Sequence, residues 1–327
     1  MILAGDIGGT KTILALFEES DGALTLVRDR TFSSRDYGSL EEIVSQFLKD
    51  ERGLVLRAGC FGVAGAVIDE RSRTTNLPWE LDEEKLADAI LAPRVKLLND
   101  LEATAYGVLH LKGDQLGLVN AGAKPKRKGN VAVIAAGTGL GEAMLYWDGS
   151  RYHPIASEGG HADFAPRTDQ EIDLLRYLRA RFGGHVSYER VLSGPGVYTI
   201  YSFLRDSGYA PEPDWLKERL TRGDPSATIS QLGLAGENAL CSATLDLFAA
   251  VYGAEAGNLA LKCLAVGGVY VGGGIAPKIL DKLKDGTFVR GFTDKGRFSG
   301  LMESMEIRVV LNPRTALIGA AHFALHL

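Results

Sequence analysis

Short apolar runs alternate with amphipathic stretches along most of the chain. Ile2-Leu3-Ala4 leads into the polar turn Asp6-Ile7-Gly8-Gly9-Thr10-Lys11, and Thr12 to Phe17 follows as a second apolar strand. Ser39 to Asp50 has the spacing of a helix, with Ser39 as its cap and Glu42 three residues on as a capping box. Arg57 to Val67 reads as a strand ending in glycine, Leu81 to Leu91 as a helix, Arg94 to Leu98 as a short strand and Leu101 to Leu111 as a helix. In the second half Asp169 to Phe182 and Ala235 to Leu264 read as long helices. Val266 to Val271 is a buried strand, Pro277 to Lys284 a helix, Arg308 to Leu311 a strand and Arg314 to His326 a helix. Strands and helices alternate in both halves, which predicts an α/β fold.

Two segments resemble each other. Ile2 to Lys11, then Thr12 to Glu18 and a turn at Asp21-Gly22, has a counterpart in Val131 to Gly139, then Leu140 to Trp147 and a turn at Asp148-Gly149. Gly9-Thr10 and Gly137-Thr138 are 128 residues apart, and the two Asp-Gly turns are 127 apart. That spacing predicts a duplicated strand, glycine turn, strand unit.

Composition narrows the class. At 327 residues the prior is two domains, since a domain averages roughly 150 residues. Glycine is the outlier, 40 residues where roughly 7% is usual, and with no Gly-X-Y period the excess belongs at turns and ligand loops. The net charge of −5 does not suit a dedicated nucleic-acid binder. The basic cluster Lys124, Lys126, Arg127, Lys128 reads as a solvated loop. Cys60, Cys241 and Cys263 lie far apart among apolar or small neighbours and read as core, so neither a cysteine zinc site nor an oxidising compartment is expected. The N-terminus lacks a basic region and Asp6 interrupts its apolar run, so it does not read as a signal peptide. Cys263 to Pro277 is uncharged but, at 15 residues, too short to span a bilayer, which needs about 20.

Several polar groups sit where chemistry would need them. In the first glycine turn, backbone N–H groups without neighbouring Cβ atoms can converge on a phosphate, Thr10 and Lys11 offer a hydroxyl and a cation, and Asp6 is placed to hold Mg²⁺ directly or through water. The spacing is not that of a P-loop, and a strand rather than a helix follows, so it is no Rossmann fingerprint either. The plain alternative is a tight hairpin. Asn99-Asp100 closes a strand: Asp100 is a candidate general base and Asn99 a hydroxyl partner, or the pair merely caps a helix. Glu158-Gly159-Gly160-His161-Ala162-Asp163 is a metal cluster without a fourth ligand, a polar small-molecule loop, or a plain loop. Glu189 is a further hydroxyl acceptor or a partner of Arg190. Gly272-Gly273-Gly274 offers a flat backbone surface to an adenine or ribose, or is an ordinary strand-to-helix turn.

Taken together, these motifs resemble the bacterial, proteobacterial-type glucokinase family within the sugar kinase, Hsp70 and actin superfamily. The residues that carry the resemblance are Gly5 to Thr10, Asn99-Asp100, Ala136 to Gly141, Glu158 to Pro166 and Arg190 to Gly196. ROK sugar kinases resemble the chain at Asp6 to Lys11, but the cysteine-rich zinc motif they usually carry does not follow His161, and no structural zinc is expected. Lys11 stands where many proteobacterial-type members have Asn.

The resemblance implies two ribonuclease H-like, actin-like ATPase domains with an active-site cleft between them. The small domain is expected at 1–109 plus 302–327, the C-terminal helix returning to it, and the large domain at 110–301. It implies ATP and Mg²⁺ as cofactors, with cofactor-binding positions at Asp6, Gly8, Gly9, Thr10, Lys11, Gly137, Thr138, Gly139, Gly273 and Gly274. The catalytic base falls on Asp100 and the sugar contacts on Asn99, Asp100, Glu158, His161 and Glu189. The loops at Gly65-Ala66 and Thr75-Asn76 add weaker contacts. The activity implied is ATP-dependent phosphorylation of glucose at its 6-hydroxyl, an entry to glycolysis, by a cytoplasmic homodimer with no nucleic-acid or membrane partner. The alternatives are a kinase for another hexose or N-acetylhexosamine and an actin-like ATPase. A sugar-responsive repressor would need a DNA-binding segment ahead of the first glycine turn, which begins at Gly8.

Overall fold

In a computed structural model, which describes residues 1–51, 53–74, 77–122 and 128–327, both glycine turns close antiparallel hairpins. The chain divides into two units: Met1–Gly113 with Pro154–Ala156 and Asn312–Leu327, and Asp114–His153 with Ser157–Leu311.

The first unit contains β1 (Ile2–Ile7), β2 (Lys11–Ser20), β3 (Ala23–Ser33), α1 (Leu40–Leu48), β4 (Ala58–Val63), the short strands β5 (Val67–Ile68), β6 (Arg71–Arg73) and β7 (Glu80–Asp82), α2 (Glu83–Ile90), β8 (Val95–Asn99) and α3 (Asp100–Val108). Its five-stranded sheet runs β3-β2-β1-β4-β8. Alternate residues face opposite layers, as the two-residue period of a strand requires. Leu3, Ile7, Phe61 and Val63 pack with α1 and α2, whereas Ile2, Ala4, Ala58 and Cys60 pack with α3 and the C-terminal helix. Ser39 caps α1 by accepting from Glu42 N at 3.3 Å. The Glu42 carboxylate takes the Gly38 N–H at 2.8 Å, so the expected capping box is displaced by one residue.

The second unit contains β9 (Leu116–Asn120), β10 (Val131–Ala136), β11 (Leu140–Trp147), both ends of β12 (Tyr152–Ser157), α4 (Asp169–Phe182), α5 (Gly194–Asp206), α6 (Asp214–Thr221), α7 (Pro225–Leu234), α8 (Ala239–Cys263), β13 (Gly268–Gly272), α9 (Leu280–Lys284), α10 (Thr287–Thr293), α11 (Ser299–Glu303) and β14 (Ile307–Val310). Its sheet runs β12-β11-β10-β13-β14-β9. β10 is antiparallel to β11 and parallel to β13, just as β1 is antiparallel to β2 and parallel to β4. The two sheets therefore repeat one plan, as the 128-residue spacing predicts.

The last helix, α12 (Thr315–Ala324), belongs to the first unit and crosses α3 with almost no gap. A Cβ on Gly107 would overlap the Thr315 carbonyl oxygen, and one on Gly319 the Ala103 carbonyl oxygen. Beyond this crossing the His110 and His322 rings stack 3.5 Å apart and 4° from parallel.

Several expectations shift. The second passage between units falls at 311/312 rather than 301/302, because β14 pairs with β13 and β9. The first falls at 113/114 rather than 109/110, since His110 is held against α12. The strand expected to reach Val67 stops at Val63, ahead of Gly65, whose φ is +150°. The long helix begins at Ala239, capped by Asn238 after Gly236 leaves helical geometry at φ +67°. The helix expected at Pro277–Lys284 is a 3₁₀ turn, Ala276–Ile279, followed by α9. Cys60 and Cys241 are core, but Cys263 is only half-buried. Lys124, Lys126, Arg127 and the Thr75-Asn76 pair lie outside the described residues, while the Lys128 ammonium sits 5.0 Å from the Trp147 ring centre.

Candidate active site

The first glycine turn is held from the side. Gly8 N donates to Lys11 O at 3.0 Å, Ser34 Oγ donates to Gly8 O at 2.7 Å, and Ser34 N donates to Thr10 O at 3.0 Å. The hydroxyls of Ser34 and Thr12 lie 3.0 Å apart in the buried layer below. Thr10 and Lys11 are exposed on top, with Gly8 and Gly9 half-buried. Asp6, at the end of β1, pairs with Gly62 of β4. Burial pushes its carboxyl above the usual range, partly offset by the Lys11 ammonium. Among the described residues no group of three or more His, Cys, Asp and Glu side chains could hold a metal. A single carboxylate fits Mg²⁺ of the kind held mainly by water and phosphate oxygens.

Asn99 and Asp100 join β8 to α3. Asn99 is buried, and the fold engages each end of its amide once: Oδ1 accepts from Leu101 N at 2.9 Å and Nδ2 donates to Gly65 O at 3.1 Å. The Glu102 carboxylate accepts the Asn99 N–H at 3.1 Å, completing a capping box. The Asp100 carboxylate also accepts from Leu101 N, at 2.9 Å, and the residue is half-buried. The cap and the candidate base therefore coexist: Asn99 fixes the helix start, and Asp100 begins its first turn. Gly65, expected to contribute weakly, is tied to Asn99 directly.

In the second unit the remaining candidates converge. Gly137 N donates to Gly139 O at 2.8 Å and its carbonyl accepts from Gly194 N at 2.8 Å, joining the turn to the start of α5. The Glu189 carboxylate accepts from Leu140 N at 3.0 Å and occupies the space a Cβ on Gly139 would need. Glu189 is thus bound to the turn rather than to Arg190, whose guanidinium lies 4.5 Å from the Phe182 ring centre. Glu158 and His161 are both exposed; Glu158 precedes and His161 ends a 3₁₀ turn that lies on β11, where a Cβ on Gly160 would overlap Leu140 O. Asp163 binds His185 Nδ1 at 2.9 Å, drawing it away from a shared metal site with Glu158 and His161. Gly273, at φ +81°, packs so closely on Ala136 that any Cβ would overlap that carbonyl. Ile275 N donates to the same oxygen at 3.2 Å, so Gly273-Gly274 lies beside Gly137.

Tyr252 of α8 was not legible as part of this site. Its buried hydroxyl accepts from Ala136 N at 3.1 Å and lies 3.4 Å from both Ile134 O and Gly272 O. It pins the ends of β10 and β13, from which both glycine segments emerge. A tyrosine ending the apolar run Leu247 to Tyr252 is the one sequence signal that would have marked it.

A family model described as Glucokinase matches residues 3–327. A glucokinase of Nostoc punctiforme is 43% identical over 98% of both chains, and one of Klebsiella pneumoniae is 34% identical over 97% of this chain and 95% of its own. Among solved structures, a glucokinase from an Antarctic psychrotroph is 32% identical, covers 100% of this chain and 99% of its own, and has a TM-score of 0.87.

Proposed function

The chain belongs to the glucokinase family, and on that premise we propose that it transfers the γ-phosphoryl group of ATP to the 6-hydroxyl of D-glucose, with Asp100 as general base. The observation that carries this reading is the bond between Glu189 and the second glycine turn. A turn suited to phosphate is joined to carboxylate, imidazole and glycine loops suited to sugar hydroxyls. An ATPase without a sugar substrate has no need of that junction.

The glycine turns at Gly8-Gly9 and Gly137 to Gly139 offer backbone N–H groups to the phosphates, and Gly273-Gly274 offers flat backbone to the adenosine. Asp6 would hold Mg²⁺, directly or through water, and the bound ion would supply charge neutralisation for the phosphates. Glu158, His161 and Glu189 accept from or donate to the sugar hydroxyls, so that a sugar lacking a matched hydroxyl leaves a polar group unpaired. Asn99 fixes the start of α3 beside Asp100, and its Nδ2 carries a second hydrogen for a sugar hydroxyl. As the sugar O6 attacks, its proton passes to the Asp100 carboxylate. The O6–phosphorus bond forms, the bond from phosphorus to the bridging oxygen breaks, and ADP leaves. A positioned base contributes about 10²–10⁴ in rate, and in-line positioning with charge neutralisation supplies most of the rest.

A cytoplasmic homodimer belongs to the same reading; light scattering at micromolar concentration tests the dimer. Among the described residues no helix is long and apolar enough to cross a membrane. The direct test of function is ADP release with MgATP and glucose, mannose, fructose, N-acetylglucosamine or no sugar. Strong stimulation by glucose is expected. Stimulation by another sugar alone would move the substrate, and none by any sugar would overturn the reading.

A further inference from the structure

Two carboxyl groups are buried together beneath the loop that carries Glu158 and His161. Glu142 of β11 is 1% exposed and Glu255 of α8 is wholly buried. The Glu142 carboxylate fills the space a Cβ on Gly159 would occupy, so only glycine lets the loop rest there. Asn258 Nδ2 donates to Glu255 Oε2 at 2.8 Å and to Tyr188 Oη at 3.1 Å. Tyr188 immediately precedes Glu189, and its N–H donates to Ala162 O at 3.0 Å. Contacts thus run in a ring from Gly159 through Glu142, Glu255, Asn258 and Tyr188 to Ala162. Oε1 of Glu142 and Oε1 of Glu255 have no hydrogen-bond partner among the described residues.

We propose that Glu142, sharing one proton with Glu255, is a positioning residue that seats Glu158, His161 and Glu189 for sugar binding. The inference rests on those three residues contacting the sugar.

Two carboxylates packed together away from water cannot both stay ionised, and one proton between them turns two acceptors into a donor and an acceptor. Burial and the Glu255 charge push Glu142 up to about 8. The surrounding groups leave that balance in place. Lys262 of α8 lies 3.8 Å from Glu255 Oε1 but is largely exposed, and Lys295, after α10, is engaged by Ala254 O at 3.0 Å. Tyr252 of α8 faces Glu142 and Tyr188 faces Glu255; burial pushes both phenols up, so they remain neutral. Above the titration of Glu142 a second buried charge appears, and the loop resting on it is displaced.

The test is the pH profile of glucose KM and kcat from pH 7 to 9.5, at saturating MgATP, for the parent enzyme and Glu142→Gln. In the parent, glucose KM should rise about thirtyfold with kcat within about twofold, since each pH unit beyond the titration depletes the competent form tenfold. In Glu142→Gln the glutamine keeps the shape without the ionisation, and KM should stay flat. A flat parent profile, or the same rise in Glu142→Gln, overturns the proposal. If thermal unfolding shows that Glu142→Gln does not fold, Glu255→Gln takes its place: it removes the repulsion, so a persisting rise overturns the proposal equally. Glu158→Gln at pH 7 separates the two readings. A raised glucose KM there with a flat parent profile removes only the positioning role. An unchanged KM removes the sugar-site reading and this one with it.

Discussion

The two units repeat one strand order but hold their repeated parts with different chemistry. In the first hairpin a single serine, Ser34, steadies the glycine turn through neutral hydrogen bonds. In the second, a carboxylate and a phenol do so, Glu189 at Leu140 N and Tyr252 at Ala136 N. The turns after β8 and β14 share an asparagine that accepts from the N–H two residues on, Asn99 from Leu101 N and Asn312 from Arg314 N, both at 2.9 Å. Only Asn99 is a helix cap: α12 starts after Arg314, which makes no side-chain cap bond. The next residue is Asp100 in one copy and the exposed Pro313 in the other. The asparagine therefore answers to turn geometry in both copies, and a carboxylate, the proposed base, stands next to it in only one. Their buried titratable groups also differ: stacked imidazoles in the first unit, paired carboxyls in the second.

Replacing the residue that distinguishes the two turns should have the largest effect. Asp100→Asn is expected to lower kcat at least ~100-fold, with sugar KM changed little, because the proton acceptor is lost while the cap remains. Steady-state kinetics decide it, and near-normal turnover would remove Asp100 from the base role. Next comes Gly319→Ala, where the new methyl meets the Ala103 carbonyl. A loss of about 3 kcal/mol, at the upper end for overpacking, is expected in urea unfolding. Tyr252→Phe strands the Ala136 N–H, which should cost about 1–2 kcal/mol and raise the KM for ATP.

The pH response separates the units by sign. Burial lowers His110 to about 4, with His322 and His326 adding to the effect. The unfolded chain then binds the extra proton between about pH 4 and 6.5, so this site makes stability fall as pH drops through that window. Glu142 acts oppositely. The folded state keeps its proton up to about 8 while the unfolded chain releases it near 4.5, so its contribution falls as pH rises between those values. Denaturation midpoints of His110→Gln and Glu142→Gln across pH 4–8 should each lose one slope; a slope that survives its own variant sinks that assignment. The smallest effect is expected at the second turn: Pro313→Ala should leave kcat within about twofold, because Pro313 is exposed and carries no titratable group.

Local features are legible in the residue order alone. The glycine turns, the strands beside them and the Asn99-Asp100 strand end all follow from residue period and from where glycine and Asx stand. Elements without such a pattern are not. β3 alternates little and lies largely exposed at the sheet edge, β9 is short and partly exposed, and β12 is an edge strand with a proline in it. The domain passage at 311/312 escaped for a related reason: β14 reads as a strand anywhere, and only its pairing with β9 and β13 assigns it to the second sheet.

By itself the sequence determined the duplicated hairpins, the α/β alternation and the motif set that marks the family, because each depends on residues within one or two turns of chain. Tertiary structure alone decided how the site is braced. Glu189 reaches Leu140 across 49 residues and Tyr252 reaches Ala136 across 116. Glu142 meets Glu255 only because α8 packs beneath β11. Periodicity encodes which face of an element is buried; it does not encode which polar group will be waiting there when two buried faces meet.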